Sequence, residues 1–366
     1  MRILTGLFLV FVQFFVFRAL PAEQETENVI LIVLDGVRAE EMFHGVDLDF
    51  LRTRAKGKPV EESELYQSFW AESPQERREK LMPFFWTIWM EEFGSVAGDR
   101  WNGSQVVLTN KHCFSYPGYS EILTGQAHDE VIDSNDPVQN PFPTVLEFFR
   151  ARLKVQKHDI ASFASWSVMD SIVESELGTI FSNAGYERYN SPSPDIQLMD
   201  GLQFATLTPW DTVRHDVYTF RFAMHYLERH HPRVLYIALG ETDDWGHENR
   251  YDRVIQALHK NDGYFRELWN FLQNDPQYQD KTTILITTDH GRGTEAEDWV
   301  RHKNYIEGSQ YTWMAVVGPE HTLRGAWQDT ETVYMNQIAG SLSAFLSLDY
   351  SEWNADAGKP IGRFLK

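Results

Sequence analysis

Three apolar runs in the chain each end at residues that can bind a metal ion or move a proton. The runs and their endings are NVILIVLD with Asp35, VLYIALGETDDWGH with Asp243 and His247, and TTILITTDH with Asp289 and His290. Long apolar runs are typical of parallel strands buried on both faces, and open α/β sheets bind ligands at the carboxyl ends of such strands. We therefore expect the three acids to lie together. Buried side by side they would repel one another, so they would either take up protons or hold a cation, and the two imidazoles favour the cation.

The spacing of the acids and imidazoles is suitable for metal ligands. Asp243 and His247 lie four residues apart, and a glycine between them permits a turn in which both face one ion. Asp289 and His290 are adjacent at a strand end, so that one can point into each half of a site. His302 follows a short loop and can return to the same cluster. Asp and His ligands with an open position favour Zn²⁺ among the common ions, and Mn²⁺ fits less well.

These motifs resemble those of the alkaline phosphatase superfamily, in particular its nucleotide pyrophosphatase/phosphodiesterase-like metalloenzymes. The resemblance extends from Asn28 to about Pro319. The matching residues are Asp35 at the end of the first strand, Ser115 before Tyr-Pro at the place of the nucleophile, Asp243 and His247 in Asp-x-x-Gly-His, Asp289 and His290 in Asp-His-Gly, and His302 as the final histidine.

The resemblance implies two divalent metal ions that act on one small phosphate-ester substrate. The implied ligand sets are Asp243, His247 and His302 for one ion and Asp35, Asp289 and His290 for the other, with Ser115 at the junction. Coordination of a hydroxyl to a dication makes its alkoxide accessible near neutral pH. The resemblance therefore implies in-line attack of Ser115 on phosphorus through a covalent phosphoseryl intermediate. The expected activity is that of an exported phosphomonoesterase or phosphodiesterase.

The chain departs from its relatives close to the nucleophile. Phosphodiesterase relatives commonly have an Asn after the Pro, where this chain has Gly118, so the donor to a non-bridging phosphate oxygen is expected elsewhere. The substrate-binding candidates are Asn110, Lys111, Tyr119 and Arg38. Sulfatases of the superfamily have an Arg where this chain has Tyr119, which disfavours sulfatase activity. A sulfatase or phosphonate hydrolase on the same site remains the alternative, and a non-catalytic metal-binding exported protein is a further one.

Length, charge and cysteine content narrow the class of protein. The chain has 366 residues, a formal net charge of −20 and one cysteine, Cys113. The length fits one catalytic domain at residues 23–366. The acidic charge and the absence of a Lys/Arg-rich block argue against a nucleic-acid polymer as a partner. A single cysteine excludes an intrachain disulfide.

Residues 1–22 resemble a secretory signal peptide. They combine the basic Arg2, an apolar stretch at residues 3–17, and small residues at Ala19 and Ala22. The apolar stretch is shorter than the roughly 20 residues that span a bilayer. We therefore expect an exported, periplasmic or secreted protein with no stable membrane span in the mature chain.

The remaining segments alternate between strand and helix patterns. This alternation predicts a three-layer α/β/α sandwich around a mainly parallel, doubly wound sheet, which is also the alkaline phosphatase-like fold. The polar and aromatic residues 48–100 are expected to form a helical lid insertion over the site. The segment 185–210 is predicted to be a long loop, residues 121–125 a short helical turn, residues 310–318 one strand, and residues 331–346 the final helix.

Overall fold

An eight-stranded sheet forms the centre of the part of the protein that the structure, a computed structural model, describes: residues 26–54, 57–328 and 331–366. The strands are β1 (Asn28–Leu34), β2 (Gly94–Ala97), β3 (Gln105–Val107), β4 (Ile160–Ala164), β5 (Phe181–Ala184), β6 (Val234–Leu239), β7 (Thr282–Thr287), β8 (Tyr311–Thr312), β9 (Met314–Val317), β10 (Gly325–Ala326) and β11 (Thr332–Tyr334). Their order in the central sheet is β10-β2-β9-β7-β1-β6-β4-β5, and β9 runs antiparallel to β2 and β7. Strands β11, β3 and β8 form a second sheet. The predicted mainly parallel sheet is confirmed.

Helices cover both faces of the central sheet. They are α1 (Ala39–His44), α2 (Leu48–Arg54), α3 (Glu64–Phe69), α4 (Pro74–Leu81), α5 (Ser115–Thr124), α6 (Val145–Leu153), α7 (Met169–Ile172), α8 (Pro194–Leu202), α9 (Asp216–His230), α10 (Glu241–His247), α11 (Tyr251–Asn274) and α12 (Ile338–Phe345), with a π-helix at Phe85–Phe93. Alternate residues of β1 belong to two cores, one shared with α9 and α11 and the other with α5, α6 and α12. This burial on both faces explains the continuous apolar run of β1 and confirms the three-layer sandwich.

The segment 48–100 is attached to the face of the sheet that α11 covers. The Asp262 carboxylate of α11 accepts hydrogen bonds from the backbone N–H groups of Phe84 (3.0 Å) and Phe85 (2.7 Å) where the π-helix begins. The segment ends in β2, which lies between β10 and β9 in the central sheet. Its proposed role as a lid over the substrate stays a prediction.

Two helices differ from their predicted positions. The segment 185–210 contains α8, because Ser193 and Pro194 provide a helix start and not only loop residues. Helix α5 begins at Ser115 and not near residue 121, since Pro117 and Gly118 are accommodated in its first turn.

The predicted strand at residues 310–318 is divided between the two sheets. Trp313 separates β8 from β9, and its indole N–H donates a hydrogen bond to the Val37 carbonyl (3.1 Å). The predicted helix at residues 331–346 begins only at Ile338. Its first part, Thr332–Tyr334, consists of residues that favour strands and pairs in parallel with β3.

The proposed signal peptide, residues 1–22, lies outside the described residues. Within the described ranges, no helix has the length and apolar character needed to cross a membrane. Cys113 is buried and free, consistent with its being the single cysteine of the chain.

Candidate active site

Three acids lie at the carboxyl ends of the adjacent strands β7, β1 and β6. Asp35 directly follows β1, Asp289 follows β7 after one residue, and Asp243 lies in the first turn of α10, which follows β6. The parallel register holds these strand ends level. All three side chains are buried, with exposed fractions of 5%, 0% and 8%. The fold therefore brings the three acids to one edge of the sheet.

His290 lies between the three acids. Its Nε2 is 3.4 Å from Asp289 Oδ2, 3.5 Å from Asp35 Oδ1 and 3.9 Å from Asp243 Oδ1. Its Nδ1 lies 2.9 Å from the Gly291 carbonyl, so that Nε2 points into the cluster. Such a carbonyl contact at the second ring nitrogen is typical of a metal-binding histidine.

The remaining two imidazoles lie on the Asp243 side. His302 Nε2 is 3.9 Å from Asp243 Oδ1, and His302 Nδ1 is 3.3 Å from the Cys113 carbonyl. His247 Nε2 is 3.0 Å from both Asp243 Oδ2 and His302 Nε2. The ligand atoms of Asp243, His290 and His302 all lie within 4.8 Å of one another. Those of Asp35, Asp289 and His290 form a second such group, so His290 is geometrically shared.

The donor atoms of the Asp35 group fit a divalent cation. Asp35 Oδ2 accepts a hydrogen bond from the Tyr119 hydroxyl (3.0 Å), and Asp289 Oδ1 accepts one from the Gly36 N–H (3.0 Å). The other oxygens, Asp35 Oδ1 and Asp289 Oδ2, are buried and have no hydrogen-bond partner among the described residues. These are the oxygens nearest His290 Nε2. Each carboxylate thus has one oxygen held by the protein and one oriented toward the same point, as metal ligation requires.

Burial opposes charge at Asp35, Asp289 and His302. It raises the pKa of Asp35 well above its usual range, and the charges of Asp289 and Asp243 raise it further. Burial also raises the pKa of Asp289. For His302, burial and then the neighbouring His290 lower the pKa well below its usual range. A divalent cation would stabilise the ionised carboxylates and needs neutral imidazoles as ligands, so this environment favours one.

Asp243 has the opposite electrostatic environment. Burial acts to raise its pKa, but Arg292 and His247 hold the pKa of this carboxyl well below its usual range. The Arg292 guanidinium donates a hydrogen bond directly to Asp243 Oδ1. Asp243 is therefore ionised while Asp35 and Asp289 resist ionisation.

Ser115 is the first residue of α5 and faces the cluster. Phe114 before it is extended (φ −151°, ψ 176°), and α5 ends at Gly125 in the left-handed conformation (φ +74°). The Ser115 side chain is buried, and its Oγ lies 3.3 Å from His290 Nε2. The hydroxyl is therefore located between the two ligand groups, at the positive end of a helix.

The backbone of α5 packs tightly against the site at Gly118. A Cβ at Gly118 would lie 2.3 Å from the Asp289 carbonyl oxygen and 3.0 Å from its carbonyl carbon. There is no space for an asparagine at this position unless the helix or the Asp289 backbone moves. This packing leaves room for a glycine at the position where the family resemblance implies an asparagine.

Two of the four substrate-binding candidates, Tyr119 and Arg38, are buried and have protein partners. The Tyr119 hydroxyl donates to Asp35, as described above. Arg38 is buried, forms an ion pair with Glu41, and donates from Nη1 to the Gly293 carbonyl (3.0 Å). These contacts give both side chains a structural function, and substrate binding by them stays a prediction.

The other two candidates lie on the loop before Ser115. The Asn110 amide donates to Glu121 (2.8 Å), and its Oδ1 accepts from the Cys113 N–H (3.0 Å). Lys111 is exposed and forms an ion pair with Glu130 (2.8 Å). In this structure both side chains are directed to partners within the loop region, and their role in substrate binding also stays a prediction.

One acid that supports the site, Asp216, is not part of any sequence motif with the spacing of metal ligands. Asp216, at the start of α9, accepts hydrogen bonds from the Ser165 hydroxyl (2.6 Å) and from the N–H groups of Gly240 (2.8 Å) and Glu241 (3.2 Å). Burial, and then the charge of Glu241, raises the pKa of Asp216 to about 7. Asp216 thereby fixes the start of α10, the helix that carries Asp243 and His247. Only its position in the folded chain reveals this function.

Comparison with known sequences identifies one family. The sequence profile of the type I phosphodiesterase/nucleotide pyrophosphatase family matches residues 101–345, about two thirds of the chain. No curated protein sequence matches the chain significantly.

Solved structures share the fold at low sequence identity. The alkaline phosphatase PafA is 10% identical, with a TM-score of 0.59 over 95% of this chain and 100% of that protein. The lipoteichoic acid synthase LtaP from Listeria monocytogenes is 8% identical, with a TM-score of 0.56 over 89% and 73% of the two chains. A phosphonate monoester hydrolase from Silicibacter pomeroyi is 12% identical, with a TM-score of 0.51 over 93% and 76%. These similarities identify the alkaline phosphatase-like fold.

Proposed function

Because the chain belongs to the type I phosphodiesterase/nucleotide pyrophosphatase family of the alkaline phosphatase superfamily, we propose that it hydrolyses phosphate esters with Ser115 as the nucleophile. Family membership makes the protein a hydrolase that uses divalent metal ions. The identity of the nucleophile, the assignment of each ligand and the covalent mechanism are our proposal.

Two cation positions are proposed from the family resemblance, with His247 in place of the shared His290 beside Asp243 and His302, since His247 Nε2 lies 3.0 Å from both of these residues. The residues that would hold the ions are Asp243, His247 and His302 at one position, and Asp35, Asp289 and His290 at the other. Bound there, divalent cations would lower the pKa of the serine hydroxyl and neutralise charge on the phosphoryl oxygens. The mixture of carboxylate and imidazole ligands favours Zn²⁺, with Mn²⁺ as the alternative.

Ser115 is proposed to carry the phosphoryl group between two displacement steps. In the first, the serine proton passes to solvent, a bond forms between Ser115 Oγ and phosphorus, and the bond from phosphorus to the leaving oxygen breaks, so that the leaving group departs with the electron pair and takes a proton from solvent. In the second, water attacks the phosphoserine, the bond between Oγ and phosphorus breaks, and Ser115 regains a proton. The substrate phosphorus must therefore lie in line between Oγ and the leaving group.

A positively charged side chain is needed near Ser115, because the first turn of α5 offers few free N–H groups to a phosphate oxygen. The Tyr116 N–H donates to Asn135 (2.9 Å), Pro117 has no N–H, and the Gly118 N–H donates to the Phe114 carbonyl (3.0 Å). A charged side chain near the helix start would supply a contact to a non-bridging phosphate oxygen.

Lys303 is the candidate that we favour for this contact. Its Nζ lies 5.6 Å from the centre of the Phe114 ring, one residue before Ser115, and forms no ion pair among the described residues. Its backbone has φ +130°, a conformation that favours glycine. A strained, non-glycine residue directly after the ligand His302 suggests a function that requires the side chain.

The observation that carries the proposal is the Ser115 hydroxyl at 3.3 Å from His290 Nε2, between the two ligand groups. Purified protein should be assayed with nitrophenyl phosphate, bis-nitrophenyl phosphate and nitrophenyl sulfate, with Zn²⁺ or Mn²⁺ added. We expect hydrolysis of a phosphate ester. Ser115→Ala should lower kcat by roughly 10⁶-fold, the scale of losing a hydrolase nucleophile, and keep its metal content. Full activity of this variant would refute the nucleophile, and faster hydrolysis of the sulfate would favour the sulfatase alternative.

Two further features are proposed from the sequence. We propose that residues 1–22 direct export, so the enzyme would act in the periplasm or outside the cell. We also propose that the segment 48–100 restricts the substrate as a lid. N-terminal sequencing of the mature protein, and the ester preference of a variant with this segment shortened, would test the two proposals.

A further inference from the structure

Arg292 is a buried cation that lies directly beside the proposed metal ligands. It lies two residues after His290 and three after Asp289, and the residue is 3% exposed. One guanidinium nitrogen, Nη1, donates to the Asp243 carboxylate. The other two donate to backbone carbonyls, Nε to Trp299 (3.0 Å) and Nη2 to Val300 (2.7 Å). All three nitrogens of the guanidinium are therefore held in one orientation.

Arg292 contacts one of the three residues proposed as ligands of one cation position, and it contacts the backbone close to the other two. Asp243 is contacted directly. His302 is the second residue after Val300, so the two carbonyl contacts fix the loop that returns this imidazole to the site. His247 directly follows Gly246, whose Cα lies so close that a Cβ there would be 2.9 Å from Arg292 Cζ.

Two glycines provide the space for the guanidinium. At Gly246 the added Cβ would also lie 3.0 Å from Nη2. At Gly36 a Cβ would lie 3.0 Å from Nη1 and 2.4 Å from Asp243 Oδ1. Gly36 also has φ +60°, in the region that favours glycine. A side chain at Gly246 would clash with Arg292 and one at Gly36 would clash with Asp243, so the two glycines leave space for the Arg292–Asp243 pair.

We propose that Arg292 is the positioning residue of the cation position formed by Asp243, His247 and His302. This inference rests on the proposed two-metal function and adds that the two positions depend differently on one side chain. The Asp35 position receives its fixed orientation from Tyr119 and Gly36, and not from Arg292. Loss of Arg292 should therefore empty one position and leave the other.

The charge of Arg292 and its hydrogen bonds should affect metal affinity in opposite directions, so the two effects can be distinguished by experiment. A guanidinium repels a neighbouring dication, so removal of the charge alone would strengthen metal binding. Removal of the three guanidinium hydrogen bonds would weaken metal binding, because Asp243 and the loop before His302 would lose their fixed orientation. Lysine keeps the charge but cannot replace the rigid guanidinium contacts.

The test measures bound Zn²⁺ per protein by elemental analysis and its affinity by titration against a chelator. We expect two ions in the unaltered protein, and one in both Arg292→Met and Arg292→Lys, with a 10-fold to 100-fold weaker affinity at the affected position. Arg78→Met is the matched control, because Arg78 is also partly enclosed, against Trp86 (3.8 Å), but contacts no ligand. It should keep two ions.

Gly246→Ala provides a second route that keeps the arginine. The added methyl group would displace the guanidinium, so this variant should lose the same ion even if Arg292→Met fails to fold. Two tightly bound ions in Arg292→Met or Gly246→Ala, or full retention in Arg292→Lys, would overturn the inference. Failure of the proposed function gives a different result, namely two ions in the unaltered protein without hydrolysis of any ester.

Discussion

A single methyl group at Gly118 should separate the nucleophile from the metal ligands. In Gly118→Ala the new Cβ would lie 2.3 Å from the Asp289 carbonyl oxygen, whereas real Cβ contacts are almost never shorter than 3.0 Å. Helix α5 and the Asp289 backbone must therefore move apart by at least the difference, about 0.7 Å. Ser115 lies on this helix, and Asp289 and His290 lie on the opposite side of the contact.

The size of this shift sets the expected loss of activity. Ser115 Oγ is 3.3 Å from His290 Nε2, so a shift of about 0.7 Å would change the distance between these two atoms substantially. A misplacement of about 1 Å can lower a rate roughly 100-fold. We expect kcat/KM to fall about 10-fold to 100-fold, which corresponds to about 1.4–2.7 kcal/mol of lost transition-state stabilisation. Overpacking should also cost about 1–3 kcal/mol of folding stability, partly offset by about 1 kcal/mol from the better helix propensity of alanine.

Gly263→Ala is the matched control. Gly263 is also a helical glycine, in α11, but a Cβ there would meet no atom within 4 Å. This variant should keep its activity and gain up to about 1 kcal/mol of stability. The assay is steady-state hydrolysis of the better nitrophenyl ester, together with thermal unfolding and metal content. Wild-type kcat/KM and unchanged unfolding in Gly118→Ala would refute the packing argument.

Two further predictions concern charge. Lys303→Ala should lower kcat/KM about 10-fold to 100-fold, and more for a dianionic monoester than for a monoanionic diester; Lys303→Gly should lose the same activity but unfold at a higher temperature, because φ +130° favours glycine. Equal losses on both esters, or none, would contradict a phosphate contact. The pKa of Asp35 is raised in the folded protein, so the stability that this group contributes is present at low pH and is lost as the pH rises through that value. The melting temperature of metal-free protein should therefore fall as the pH rises above the ordinary titration range of an aspartate toward the raised pKa, with up to about 1.4 kcal/mol of stability lost per pH unit and proton. Asp35→Asn should flatten this decrease and added Zn²⁺ should reverse it, whereas the same slope in Asp35→Asn would contradict the assignment.

The central sheet and the location of the acids could be predicted because their signals are local. Each of β1, β6 and β7 is a run of apolar residues followed within a few positions by an acid. The rule that parallel strands carry ligands at their carboxyl ends then places Asp35, Asp243 and Asp289 together. No long-range information is needed for this step.

The features that the sequence did not reveal depend on long-range packing. The space at Gly118 is limited by Asp289, which is far away in the chain, and the start of α10 is fixed by Asp216 on another helix. The division of residues 310–318 depends on Trp313 reaching Val37 across the fold. Local patterns of apolar and polar residues cannot report such contacts.

The most direct test of the proposed mechanism is a crystal structure of the protein with Zn²⁺ and vanadate, using anomalous scattering to locate the metal. We expect two zinc peaks, one beside Asp243, His247 and His302 and one beside Asp35, Asp289 and His290, with vanadium bonded to Ser115 Oγ. Vanadium bound away from Ser115, or zinc absent from both ligand groups, would contradict the mechanism.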